Sequence, residues 1–155
     1  MNDIGSLGEK LAVKWLELHN YNLLEQNWRC RWGEIDIIAQ DRSDQTIAFV
    51  EVKTRSKNNW DENGLLAVNT TKQEKIIKTA SMFLAKHPHL AELPCRFDVA
   101  LVSYKEFPTP RREVAEKKET KEIGAITQLN IGQPIIIEQY QISIENYIQF
   151  AFELS

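Results

Sequence analysis

The chain has 155 residues, of which 43% are hydrophobic and 26% charged, values that suit one folded domain, 1–155, with one core. A formal net charge of -3 excludes a global positive field, so any contact with nucleic acid has to come from a local basic patch or a bound cation. Two distant cysteines, Cys30 and Cys95, exclude a disulfide scaffold and a CxxC zinc pair and read as buried, reduced thiols, while the lack of an apolar run near ~20 residues or of a basic-then-apolar leader predicts a cytoplasmic protein without a membrane partner.

The first element is an amphipathic helix over LGEKLAVKWLELHN. Leu7, Leu11, Trp15 and Leu18 recur at helical spacing, Ser6 is placed to cap the start, and Asn20 stands where the helix should stop. Three strands follow. YNLLEQNWRCRW is mixed but rich in strand formers towards its end, whereas GEIDIIAQ alternates, with Ile35 and Ile37 expected on one face and Asp36 and Ile38 on the other. DRSDQ is turn-like, and TIAFVEVKT has the β-branched and aromatic content of a buried strand.

RSKNNWDENG reads as an exposed polar loop, and TTKQEKIIKTASMFLAKH as a second helix with Ile76, Ile77, Ala80, Phe83 and Leu84 on one face and Pro88 beyond its end. RFDVALVSY is a fourth strand. From about 105 to 141 the chain changes character: Pro108, Pro110 and the polyampholyte run RREVAEKKETKE predict a flexible insertion. QPIIIEQYQISIEN is compatible with a further strand or hairpin, and YIQFAFEL with a final strand. The order predicts an α/β fold, a mixed central sheet flanked by helices, with the third and fourth strands parallel through a helical crossover.

The chemistry lies in GEIDIIAQ and FVEVKT. Strand alternation sends Glu51 and Lys53 to one side and Val52 into the core, and a hairpin between the two strands places Asp36 beside Glu51. An E-X-K pair on its own also describes a salt-bridged exposed face of little energetic value. An acid set among Ile35, Ile37 and Ile38 points further, because clustered carboxylates repel one another and a divalent cation relieves that repulsion. A few hard oxygen ligands favour Mg2+ or Mn2+, and a metal with one or two carboxylates and a neighbouring lysine is the arrangement that phosphodiester hydrolysis requires.

Taken in order, LGEKLAVKWL, NWRCRWGEIDIIA, FVEVKTRS, KQEKIIKTA and PCRFDVALV resemble the YraN-type family of small bacterial proteins, within the PD-(D/E)XK restriction-endonuclease-like superfamily. The resemblance implies a mixed-sheet nuclease core, from which the segment 105–141 departs as a C-terminal insertion longer than in typical members. It also implies Asp36, Glu51 and Lys53 as the catalytic set, and a Mg2+ or Mn2+ ion held by Asp36, Glu51, the Val52 carbonyl and Glu9 from the first helix. The literal Pro-Asp of the superfamily name is absent, Asp36 standing in GEID instead. The implied activity is a metal-dependent endonuclease acting on branched or single-stranded DNA, and a homodimer would match a two-fold symmetric substrate. An accessory nucleic-acid-binding protein that keeps the fold but cleaves little, and a plain scaffold, are the alternatives.

Arg55, Lys72, Lys75 and Gln73 are candidates for nucleic-acid contact, with Arg29, Arg31 and Lys57 as further cations. Trp60, in the polar loop, is the candidate for base stacking, while Trp28 and Trp32 are expected in the core. Arg96 and Asp98 are expected to form a structural pair near the site, and His87 and His89 to lie in a surface turn.

Overall fold

The computed structural model describes residues 3–57, 68–108 and 122–152. Along the chain run α1 (Ile4–Leu18), β1 (Tyr21–Cys30), β2 (Gly33–Asp41), β3 (Ile47–Ser56), α2 (Thr70–Lys86), β4 (Cys95–Glu106), β5 (Ile135–Ile137) and β6 (Tyr140–Phe152). The strands form one six-stranded sheet in the order β1-β2-β3-β4-β6-β5. The β3–β4 pair is parallel, as its helical crossover requires, and the other neighbours are antiparallel. This mixed α/β arrangement is consistent with the restriction-endonuclease-like core.

One helix covers each face. Ile76, Ala80 and Phe83 of α2 pack with Ile35, Ile38, Phe49, Phe97 and Leu101. On the other face Leu7 and Leu11 of α1 meet Val102, Ile135 and Ile144, while Ala12 and Leu16 meet Ile37, Val50 and Ala100. Buried on both faces, β3 reads as the apolar run IAFV rather than as an alternating strand.

Several sequence expectations shift. Asp3, not Ser6, caps α1: its carboxylate accepts the Ser6 N–H at 2.7 Å, and an acid there also meets the positive end of the helix dipole. Asn20 follows the helix with φ 69°, a left-handed conformation that asparagine tolerates. Cys30 and Cys95 are free but only half-buried, at strand ends. Ile35 and Ile37 do not share a face. Ile35 joins the α2-side core with Ile38, and Ile37 the α1-side core. The alternation breaks at Asp36, opposite Asn27, whose φ of 49° lies in the left-handed region inside β1.

Of the stretch 105–141, residues 109–121 lie outside the described residues. Before them β4 runs on to Glu106, and after them Ile126, Leu129 and Ile135 bury against Leu7 and Leu11. β5 and β6 make the hairpin foreseen for QPIIIEQYQISIEN, but β6 continues unbroken through YIQFAF instead of yielding to a separate last strand.

Candidate metal centre

β2 and β3 pair from Gln40–Ile47 as far as Ile37–Val50 and then part. The carboxylate of Asp36 fills the gap, accepting the Val52 N–H at 2.8 Å. β3 meanwhile stays paired with β4, Glu51 opposite Val99 and Lys53 opposite Leu101. The splayed strands open a cleft of about 450 Å³ whose lining includes Glu9, Asn27, Asp36, Glu51, Val52 and Arg55.

Glu9 arrives from α1. A Cβ on the preceding Gly8 would lie 2.1 Å from Thr54 Oγ1, so only glycine lets the helix approach β3 this closely. Glu9 and Asp36 share a hydrogen bond. Burial first, then the charge of Glu51, pushes Asp36 up to about 8 against the Val52 N–H, which favours the ionised form. Burial also raises Glu9, with the charges of Glu34, Glu51 and Asp3 adding to it and the bond to Asp36 opposing. Burial and the neighbouring acids thus favour the protonated form of Asp36.

Glu51 is 8% exposed and ion-paired, Oε1 lying 2.5 Å from Lys72 Nζ in the first turn of α2. A lysine opposes the helix dipole there, but its bond and charge interaction with Glu51 hold it protonated in spite of burial. Lys53 is also 8% exposed. Burial pulls its ammonium down, the neighbouring Lys72 charge adds to the pull, and Glu51 resists. Glu51 is thus paired with Lys72, and its charge is felt by Lys53, Asp36 and Glu9 alike.

Among the described residues no three His, Cys, Asp or Glu side chains form a ready-made cage for a metal. The donor set nonetheless fits Mg2+ or Mn2+. These hard ions use one or two carboxylates and keep several waters, and an open cleft with mutually repelling acids supplies that setting. Asp36, Glu51, Glu9 and the Val52 carbonyl are the groups that would hold such an ion.

The other candidates divide. Arg55 lines the cleft, its Nη1 donating to the Thr54 carbonyl. Gln73 does not line it, because its amide donates to the Val68 carbonyl at 2.7 Å and braces the start of α2. Lys75 lies beside Gly33, where an added Cβ on the glycine would come within 3.9 Å of the lysine Cβ. Trp60 and the loop around it lie outside the described residues. Trp28 packs edge-on against Phe83, as expected of a core residue, but Trp32 is 39% exposed because it sits in the β1–β2 turn.

Two contributors escaped the sequence reading, Asn27 and Glu34. With its amide nitrogen turned towards the acids, Asn27 donates to Glu9 Oε1 at 3.2 Å and Glu34 Oε1 at 2.8 Å. Glu34 in turn pairs with Arg29 at 3.2 Å. An asparagine inside a strand pattern is the one signal that marked the place, since it tolerates the left-handed backbone found there.

Comparison with known proteins returns one family. The model of the Uncharacterised protein family UPF0102 matches residues 8–102, a span that includes Glu9, Asp36, Glu51 and Lys53. A UPF0102 protein of Synechocystis sp. is 46% identical over 153 residues, covering 98% of this chain and 99% of its own length. A second, from Acaryochloris marina, is 43% identical over 159 residues, covering 97% and 90%. A third, from Trichodesmium erythraeum, is 43% identical over 162 residues, covering 97% and 88%.

Proposed function

The chain belongs to the UPF0102 family, the YraN family, and from that premise we propose that it is a Mg2+- or Mn2+-dependent endonuclease that hydrolyses phosphodiester bonds in branched or single-stranded DNA. One observation carries the reading: carboxylates from α1, β2 and β3 line one cleft where the sheet parts.

When bound, the ion acidifies a water and offsets charge on the phosphate. The chain's own groups do the rest. Val52 N–H fixes the Asp36 carboxylate, so less entropy is lost in orienting it on binding. Asn27 orients Glu9. Lys53, desolvated on β3 beside Glu51, is placed to stabilise negative charge developing on the phosphate oxygens. Lys72 balances Glu51 and is free to turn to a phosphate once a cation takes the carboxylate.

The test is incubation with Mn2+ or Mg2+ and a panel of duplex, single-stranded, flap and four-way DNA. Glu51→Ala and Lys53→Ala are each expected to lower cleavage by at least about a hundredfold, the usual cost of losing one electrostatic group in such a site. Cleavage that persists in both variants would assign the activity to a contaminant. A second reading, an accessory protein that binds nucleic acid without cutting it, is favoured by the absence of a closed acid cage among the described residues. Retention of DNA by a wild-type protein that cuts nothing in the panel would select it.

A further inference from the structure

We propose that Trp32, at the tip of the β1–β2 hairpin, is a stacking platform that takes an unpaired base of the nucleic-acid substrate; this rests on the nuclease reading and specifies the substrate class. Trp32 is one of the few large hydrophobic side chains left exposed among the described residues. Single surface aromatics are ordinary, but this one has a built setting. The Arg31 guanidinium and the Lys78 ammonium lie over its ring, 4.9 and 4.8 Å from the centre, so a base that stacks there displaces a cation from the indole face and leaves it to the neighbouring phosphate. Between the ring and α2 runs a groove of about 360 Å³, with Ile77, Met82 and Ala85 as apolar lining and Lys78 and Ser81 as polar lining.

The charge around it runs against that of the whole chain. The full sequence carries -3. The hairpin tip and α2 contribute Arg29, Arg31, Lys72, Lys75, Lys78 and Lys86 against Glu34 and Glu74. Arg29 is spent on Glu34 and Lys72 on Glu51, which leaves Arg31, Lys75, Lys78 and Lys86 as the cationic side chains of the hairpin tip and α2. An apolar peptide would gain nothing from such cations. A nucleotide offers a flat π-face to the indole and a phosphate to the lysines, and base–aromatic stacking is the usual means of holding single strands.

The position is suited to a substrate already seated in the cleft. Trp32 and Asp36 are four residues apart on one hairpin, roughly 13 Å at the rise of a strand, so a strand leaving the cleft reaches Trp32 by rounding the hairpin tip from the α1 side to the α2 side. A base in a duplex has both faces covered, so the platform discriminates for unpaired ends, flaps and junction arms.

Fluorescence anisotropy in the presence of a chelator, without cleavage, provides the test. The probes are a labelled oligothymidylate and a blunt duplex. Trp32→Ala is expected to weaken oligothymidylate binding by roughly 5- to 100-fold and to leave duplex binding unchanged, with Trp32→Phe recovering most of the loss. Equal losses on both probes, no loss on the single strand, or no binding of either probe by the wild type would overturn the platform. The cleavage assay with Glu51→Ala is separate: if wild type cuts and Glu51→Ala does not while Trp32→Ala binds normally, the platform alone fails.

Discussion

At the scale of the residue, Asp36 is where charge is least comfortable. Its carboxyl, ordinarily at 3.8, is pushed to about 8 by burial and by Glu51. Over that interval the folded chain holds a proton that the unfolded chain has released, so this contribution to stability is complete below 3.8 and disappears as pH rises through about 8. In chelator, the melting temperature is expected to fall with rising pH in the upper part of that interval, and Asp36→Asn, permanently neutral, to flatten the fall. An identical slope in the variant would remove Asp36 as the titrating group. Mn2+ binding at neutral pH is expected to expel the same proton, detectable with a pH indicator.

At the scale of the element, the decisive contact is α1 on β3. Alanine is the better helix former by ~1 kcal/mol, yet at position 8 its Cβ would meet Thr54 Oγ1 at 2.1 Å and Thr54 Cβ at 3.2 Å. Thr54 is short and β-branched and cannot swing clear. Overpacking of this kind costs ~1–3 kcal/mol, so Gly8→Ala is expected to destabilise despite its propensity, by about 1–2 kcal/mol in urea unfolding. Thr54→Ala should restore the loss; a Gly8→Ala protein at least as stable as wild type would mean that the helix is not pressed onto the strand. Much at this scale was legible from periodicity. The 3.6-residue spacing of Ile76, Ala80 and Phe83 marked α2, and the apolar run before Glu51 marked a strand covered on both faces. What periodicity could not show is where it stops. The turnover at Asp36 and Asn27 arises from a ladder that opens between β2 and β3, a tertiary event that leaves local propensities unchanged. The same opening gathers Glu34 and Asn27 around Glu9, a grouping of which the asparagine in a strand pattern was the one trace in the sequence.

At the scale of the molecule, Arg96 and Asp98 tie four strands together. Asp98 is 0% exposed and accepts from Arg96 Nε at 3.0 and 3.1 Å, from Tyr147 Oη at 2.6 Å and from the Phe150 N–H at 3.2 Å. Arg96 also donates to Tyr21 Oη at 2.5 Å and faces Asp41 at 3.7 Å. The pair is structural, as the sequence suggested, and reaches β1, β2 and β6 from β4, but neither residue lines the cleft near which the pair was expected. Asp98→Ala would strand a buried guanidinium, and a loss of ~3–5 kcal/mol in urea unfolding is expected. Joint replacement of Arg96 and Asp98 by apolar residues should cost less than the single change, and a larger cost would show that the network supplies more than charge compensation. The Asp36–Val52 bond has a reach of another kind. An amide that ordinarily answers only to a neighbouring strand here answers to an ionisable group, so its nuclear resonance frequency and its exchange with deuterium are expected to change when a cation is added. The backbone carries its own gauge of the centre, readable without substrate, label or turnover.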